Sequence, residues 1–379
     1  MKIVYCVGSL RNKGGMEKVL ANKTNYFVNN NNFKITIITQ DQNSYPLCYR
    51  FDKKINFHDV KISELNKRTI KGFTFLKNIH TLRKVYQSIF DEVKPDIIIN
   101  CERGYLDFVI PFVSKSIPKI REFHFSKEAV FIHASLMNST QRRKHLFMYF
   151  FIFKMFNKYD YLALLTKRDE LKGKYKTKTV VIPNMMSTEL PREIAKLEIT
   201  NVISVGSMHD NRKDFDTQIK LWVNISKKHP KWILNIFGNG REMDNLKKLV
   251  NRLELNRNVI LHGNSNTMEK HYLDSSIFLF TSKAEGLPMV LIEAQSYGIP
   301  CVSFDCPTGP SDIITDSING YVVNQNDIIS LEERLIELIE NKELRKEMGK
   351  KAREKSEQYT PENISKLWVN LFNKITNVN

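Results

Sequence analysis

Short, unbroken apolar runs alternate with longer stretches of helical spacing along almost the whole chain, and this alternation restricts the fold more than any other feature. KIVYCV, FKITII and PDIIIN are too short for helices and too continuously apolar for strands with one wet face. Between them, MEKVLANKTNYFV carries Met16, Val19, Leu20 and Phe27 on one helical face, and FLKNIHTLRKVYQSIFDEV repeats the spacing. The NNNN at 29–32 reads as the loop ending the first of these helices, and IPKIREFHF as a further strand running into a polar loop. A second, more regular series follows the Lys-rich KGKYKTKT, with VVIPNMM as the connecting stretch. Its strands are NVISVGSM, WILNIFGNG, NVILHG, SIFLFTS and PCVSFD, and its helices FDTQIKLWVNISKKH, MDNLKKLVNRLEL and MVLIEAQSYG.

Strand, helix, strand at this cadence means βαβ units and parallel sheets. The predicted class is therefore α/β, with two Rossmann-like doubly wound parallel-sheet domains facing a central cleft, where such sheets bind ligands beyond their carboxyl ends. Residues 1–183 form the first domain, 184–360 the second, and 361–379 a C-terminal helix able to cross back to the first. In that helix Thr360 is placed to cap and Pro361 to open the first turn. A chain of 379 residues, 42% hydrophobic, can fill two cores, which excludes a disordered basic tail.

Charge is distributed unevenly. The chain has 58 Lys and Arg against 41 Asp and Glu, a net of +17. Residues 1–183 hold 33 basic and 15 acidic side chains, a net of +18, and residues 184–379 hold 25 and 26, a net of −1. Such a field implies that the first domain meets a polyanion: nucleic acid, an anionic membrane surface or a phosphorylated substrate. Cys6, Cys48, Cys101, Cys301 and Cys306 are odd in number and form no CxxC pair, which points to a reducing compartment. The N-terminal apolar stretch is too short for a signal peptide, and the longest apolar run, Leu146 to Phe153, has eight residues, too few for a spanning helix. The expected location is cytoplasmic, with peripheral attachment to the cytoplasmic face of the membrane open.

The stretch TSKAEGLPMVLIEA carries the most chemistry. A buried strand ends at Ser282, a polar loop holds Glu285 and Gly286, and Pro288 belongs in the first turn of the helix that follows. The backbone N–H groups of Leu287, Met289 and Val290 around Pro288, and the positive end of that helix, suit an anionic phosphate. Glu285 precedes the helix terminus and Glu293 lies about one and a half turns inside it, so the two carboxylates can accept hydrogen bonds from diols on different parts of one ligand.

EGLPMVLIEA closely resembles the Glu-x7-Glu signature of retaining GT-B glycosyltransferases, in particular glycosyltransferase family 4. The similarity extends along most of the chain: VGSLRNKGGMEKVL resembles the family's N-terminal glycine loop, IPN at 182–184 its interdomain connection, VGSM with RKDFDTQI its phosphate-contact segment, IFGNG its base-proximal turn, and CPTGPSDIITDSINGYVV the stretch after the signature helix. The order and spacing carry the likeness, since each motif alone is weak. The resemblance implies GT-B architecture and a nucleotide-sugar donor. Glu293 would bind the ribose, Glu285 the donor sugar or its diphosphate end, and Gly14 and Gly15 would lie near the diphosphate or acceptor. Lys213 matches the phosphate-binding lysine. Many members carry Arg after the glycine of the VG turn, where this chain has Ser207, so Arg212 shares the assignment with Lys213.

His124, after a strand of the first domain, matches a histidine that contacts the transferred sugar and is the leading catalytic candidate there; His133 and His209 are lesser ones. No His, Cys or Asp cluster has metal-ligand spacing, so neither a metal nor another cofactor is expected. Asp214 and Asp216 have a DxD form, but their place at a helix start reads as N-capping. QRRKHLFMYFFIFKMFNKY, residues 141–159, joins Arg142, Arg143 and Lys144 to an aromatic helix with Lys154 and Lys158, the combination of an interfacial membrane helix, although apolar residues on nearly every face from Leu146 to Phe153 also suit burial. The Lys172–Lys178 run adds to the same surface.

The function expected is transfer of a sugar, with anomeric retention, from a nucleoside-diphosphate donor, UDP-linked by preference, to a hydroxyl of a glycan or lipid-linked glycan. A GT-B sugar-nucleotide epimerase or sucrose-type synthase is the alternative within the fold. A basic nucleic-acid-binding protein is the alternative of another class, and no nucleic-acid partner is expected because no recognition helix or stacking platform accompanies the cations.

Overall fold

The computed structural model describes residues 1–12, 14–62, 73–102, 104–135 and 137–376. The chain divides into two compact units, Met1–Ser187 with Pro361–Asn379, and Thr188–Thr360.

The first unit contains β1 (Lys2–Val7), β2 (Lys34–Thr39), β3 (Asn56–Asp59), β4 (Ile97–Asn100), β5 (Lys119–Phe123), β6 (Tyr161–Leu164) and β7 (Thr179–Val181). They form one parallel sheet in the order β3-β2-β1-β4-β5-β6-β7. The order reverses beside β1, whose Val4 pairs with Thr36 on one side and Ile98 on the other. Both faces are covered, which is why these strands are apolar throughout. On one face Leu20, Phe27 and Val28 of helix Gly15–Asn30 pack with Ile364, Trp368, Leu371 and Phe372 of helix Pro361–Thr376 against β1 and β2. The Phe27 and Phe372 rings meet edge to face at 6.0 Å. Burying a side chain of this size stabilises by roughly 1.5–3 kcal/mol, so these contacts hold the last helix in the first unit. On the other face Tyr86 and Phe90 of helix Phe73–Val93 cover Val4, Ile38 and Ile98.

The second unit contains β8 (Asn201–Val205), β9 (Ile233–Phe237), β10 (Val259–Gly263), β11 (Ile277–Phe280), β12 (Cys301–Asp305) and β13 (Gly320–Asn324), parallel in the order β10-β9-β8-β11-β12-β13. Helix Phe215–Lys228 buries Ile219, Trp222 and Ile225 in the same core as Leu234 and Ile236.

Four strands exceed the sequence reading. β3, NFHD, is a polar edge strand, and β7 joins the last residue of KGKYKTKT to the first two of the connecting stretch VVIPNMM. β6 and β13 are short runs next to a helix and a glycine turn. β3 is made a strand by pairing with its sheet neighbour, whereas β6, β7 and β13 have apolar runs of only three to five residues. The five cysteines are free, and among the described residues no helix is long and apolar enough to cross a membrane.

Candidate functional site

In both sheets the loops that follow the strands at the order reversal carry the candidate residues, as open α/β sheets favour. In the second unit β8 leads to Arg212 and Lys213, and β11 to Glu285. β11 is buried along its length, so the chain turns polar only at Thr281. The Thr281 hydroxyl donates to the carbonyls of Lys213 and Asp214 at 3.0 and 3.1 Å, and the Lys283 N–H donates to the Arg212 carbonyl at 2.8 Å. These bonds bind the two loops together and bring their side chains into one cluster.

The Glu285 carboxylate is its centre. Oε1 accepts from Lys213 Nζ at 2.7 Å and from the Ser282 hydroxyl at 2.6 Å, and Oε2 accepts from Arg212 Nη1 at 3.2 Å. Burial alone would raise the carboxyl pKa, but Lys213, Arg212 and the hydrogen bonds outweigh it and hold it below the usual value. Glu285 is therefore an anion at neutral pH. Arg212 and Lys213 both reach this carboxylate, each on a different oxygen. The Thr308 hydroxyl fixes the Glu285 carbonyl at 2.7 Å.

Helix Met289–Ser296 starts one residue later than expected, with Pro288 at the cap position, and no side chain caps it. Gly286, Leu287 and Pro288 are buried, while Met289 and Val290 are half-buried. Two glycines make the close packing possible. Gly309 has φ +104° and a Cβ there would lie 2.3 Å from Pro288 Cδ. Gly238, in the IFGNG turn, has φ +143° and a Cβ would lie 1.8 Å from the Gly206 carbonyl, so the turns after β8 and β9 touch backbone to backbone. Glu293 is held separately from Glu285: its Oε2 accepts from the Tyr272 hydroxyl at 3.2 Å. Tyr272 stacks on Tyr297 at 5.2 Å, and burial, followed by the Glu293 charge, pushes its hydroxyl pKa well up.

Asp214 occupies the cap position of helix Phe215–Lys228, but its side chain does not cap the backbone. Its φ of +54° turns the carboxylate aside, where it accepts from the Thr217 hydroxyl at 2.8 Å and pairs with Lys283 at 2.9 Å. The N-capping expectation is corrected accordingly. His209 is exposed, and its carbonyl accepts from Arg241 Nε.

In the first unit Gly14 is the cap residue of helix Gly15–Asn30, and its carbonyl accepts from the Lys18 N–H at 3.2 Å and the Tyr49 hydroxyl at 3.3 Å. Lys13, inside the quoted glycine motif, lies outside the described residues. Gly15 is exposed, with open space where a Cβ would stand. Glu17 is half-buried, and burial, with the nearby Glu102 charge adding to it, raises its pKa. Glu102 accepts from the Gly8 N–H at 3.0 Å, holding the start of the same loop.

His124 follows β5, half-buried, with Nε2 3.4 Å from Glu122 Oε1. Glu122 is buried and pairs with the buried Lys23 ammonium. Burial would raise the Glu122 pKa, but Lys23 and then His124 bring it below the usual value. Cys101 Sγ donates to Glu122 Oε2 at 3.3 Å. Cys101, Glu122 and His124 therefore place three ligand atoms within 4.8 Å of one another, a cluster the sequence reading did not find. Lys23 already supplies a cation there. His133 is half-buried, its ring 5.8 Å from that of His145.

The structure thus brings Arg212, Lys213, Glu285 and the Gly286–Met289 backbone into one cluster, while Gly14, Gly15 and His124 belong to the other unit. The sequence reading missed Ser282, Glu102, Glu17, Lys23, Glu122 and Cys101. For Ser282, Cys101 and Glu102 a signal existed: each lies one or two residues beyond the end of a strand, the place where such sheets put functional groups.

Comparison with known proteins follows the same line. Residues 187–355 match the family model "Glycosyl transferases group 1". An uncharacterized glycosyltransferase of Haemophilus influenzae is 29% identical over 98% of this chain and 99% of its own, and the amylovoran biosynthesis glycosyltransferase AmsD of Erwinia amylovora is 27% identical over the same shares. A crystal structure of an S. aureus TarM mutant, in complex with fondaparinux, alpha-GlcNAc-glycerol and UDP, superposes with a TM-score of 0.77 at 20% identity, covering 98% of this chain and 99% of TarM. Residues 187–355 form a group 1 glycosyl transferase domain, and the chain is a glycosyltransferase of GT-B architecture.

Proposed function

We propose that this glycosyltransferase is a retaining hexosyltransferase of family 4, moving a sugar from a UDP-linked donor to a hydroxyl of a glycan or lipid-linked glycan in surface polysaccharide or glycoconjugate synthesis. The observation that carries the reading is Glu285, ionised between Lys213 and Arg212 beside the uncapped N-terminus of helix Met289–Ser296. Arg212, Lys213 and Lys283 stand here against Glu285, Asp210 and Asp214, so the side chains balance and the helix terminus supplies the partial positive charge that makes a diphosphate the ligand this corner suits. AmsD is named for amylovoran biosynthesis and the TarM complex holds UDP and a GlcNAc-bearing glycerol, which supports both the donor and the acceptor class.

In this reading the bond from the anomeric carbon to the diphosphate breaks and a bond to the acceptor oxygen forms on the same face of the sugar, the acceptor proton passing to the departing phosphate oxygen. Lys213, Arg212 and the backbone N–H groups of Gly286 to Met289 offset the charge that develops on the leaving group. These groups take the electrostatic part that a metal plays in other transferases, and no resident metal or cofactor is required. Glu285 contacts the donor sugar, Glu293 binds the ribose, and His124 is the catalytic candidate of the first unit. Five free thiols suit a reducing, cytoplasmic setting.

A nucleotide-sugar panel tests the reading. Calorimetry with wild type and Glu293→Ala, followed by product analysis with and without an added glycan acceptor, should give selective binding of a UDP-sugar, about tenfold weaker in the variant, a cost of about 1.4 kcal/mol. The glycoside should keep the donor's anomeric configuration. Inverted product would end the retaining assignment, unchanged affinity in the variant the ribose assignment, and an epimerised donor without acceptor would make the chain an epimerase.

A further inference from the structure

The first unit carries a surface that the transfer chemistry does not use. Helix Ser139–Phe156 opens at Asn138, whose side chain accepts from the Gln141 N–H at 2.9 Å. Tyr149, Ile152 and Phe156 form its buried stripe, packed with Phe123, Leu162 and Leu164. At about 100° per residue, the opposite face is made by Arg143, Phe147, Phe150, Phe151 and Lys154. That outward face is where a helix of a soluble domain puts polar residues, yet Phe147 is 69% exposed, Phe150 56% and Phe151 38%. The expected burial of Leu146 to Phe153 therefore holds for one stripe only. The exposed rings pack on one another, Phe147 to Phe151 at 5.0 Å and Phe150 to Phe151 at 5.4 Å. The Lys154 ammonium stands 4.3 Å over Phe150.

We propose that this face docks on an anionic phospholipid bilayer, with Phe147, Phe150 and Phe151 at the acyl boundary and Arg143, Lys144 and Lys154 among the head-group phosphates. Charge selects the occupant. The helix contains no Asp or Glu, Arg142, Arg143, Lys144 and Lys154 are all exposed, and Lys158 continues the series just beyond its end. Lys174, Lys176 and Lys178 are exposed in the same unit. A second copy on this face would set cation against cation, whereas a bilayer with anionic lipids supplies both the counter-charge and the apolar layer. No described helix is long and apolar enough to span, so this one lies along the surface. The inference stands on this surface alone and is independent of the donor assignment.

Co-sedimentation of the full chain tests it, with vesicles of phosphatidylcholine alone and of phosphatidylcholine mixed with phosphatidylglycerol, and with light scattering of the same protein without vesicles. The chain should bind the mixed vesicles at least about tenfold more strongly than the neutral ones, and the difference should shrink as salt rises from about 50 to about 500 mM. Combining Phe147→Ser, Phe150→Ser and Phe151→Ser, or Arg143→Glu with Lys154→Glu, should each weaken binding about tenfold or more without lowering the melting temperature, since all five side chains are exposed. Equal binding to both vesicles, no binding, or a triple variant that binds as wild type would overturn the proposal. A wild-type dimer made monomeric by the Phe substitutions would assign the face to a second copy instead.

Discussion

Each unit is built on its own parallel sheet with an order reversal beside its first strand, yet the two handle charge in opposite ways. In the first, β5 buries Arg121 and Glu122 in succession. Successive strand residues face opposite sides, so each needs its own partner: Asp107 meets Arg121 at 2.6 Å, and Lys23 meets Glu122. In the second, β11 is apolar throughout, and the carboxylate sits beyond it in a loop, held by cations that water still reaches in part. A charge inside the sheet is locked to its partner, because desolvation makes the pair compulsory. The loop carboxylate is ionised too, but its cations are partly exposed, so its pairing is less costly to break.

Removing one partner should expose this difference most strongly in the first unit. Lys23→Met takes the ammonium partner from the buried Glu122 carboxylate, leaving His124 and the Cys101 thiol beside it, and also ends the ammonium contact over Trp368 at 4.5 Å. It should cost about 3–5 kcal/mol in urea unfolding. Adding Glu122→Leu should return most of that loss, since replacing both charges with apolar groups is far less costly than orphaning one. A Lys23→Met variant as stable as wild type would break the comparison at its root. Lys213→Met, at a pair water reaches, should destabilise less.

The second unit should answer in rate rather than stability. Glu285→Gln keeps the size of the side chain and an acceptor for Ser282 but removes the charge between Arg212 and Lys213. Turnover should fall by about 10²–10³, equal to about 2.7–4 kcal/mol, the scale of losing one preorganised electrostatic group. Nucleotide affinity should stay within about threefold, or about 0.7 kcal/mol. Steady-state kinetics beside calorimetry separate the two, and near-normal turnover would leave Glu285 a structural carboxylate like Glu122.

The unequal legibility of the units has the same origin. The loop after β11 could be read from order along the chain, because strand, loop, Glu285, helix and Glu293 fall within 17 residues, from Ile277 to Glu293. The supports of His124 could not. Lys23 and Glu122 lie 99 residues apart, and Cys101 and Glu122 lie 21 apart, so no local spacing announces their meeting. IPKIREFHF did read as a strand, but Arg and Glu side by side in it gave no hint of burial, since charged residues are rarely found fully buried unless paired. Edge strand β3 escapes for a related reason: its neighbour, rather than its own composition, makes it a strand, while β7 has the β-branched composition of a strand but is only three residues long.

Acid titration gives the smallest effect and sharpens the comparison furthest. The Glu285 carboxyl is held below its ordinary pKa of 4.5 in the folded chain, because Lys213, Arg212 and their hydrogen bonds outweigh burial. A group whose folded pKa is lowered contributes stability that is fully present above the unfolded value and is lost as pH falls through the folded one. The stability difference between wild type and Glu285→Gln, measured by urea unfolding at a series of pH values, should therefore be constant from neutral pH down to about 5 and then fall as the medium is acidified past about 4.5. Glu122 is shifted in the same direction and remains in both proteins, so subtraction removes its contribution. A difference that stays level through this acid range would mean that Lys213 and Arg212 do not hold Glu285 as an anion in solution, and the contrast between locked and available charge would lose its second half.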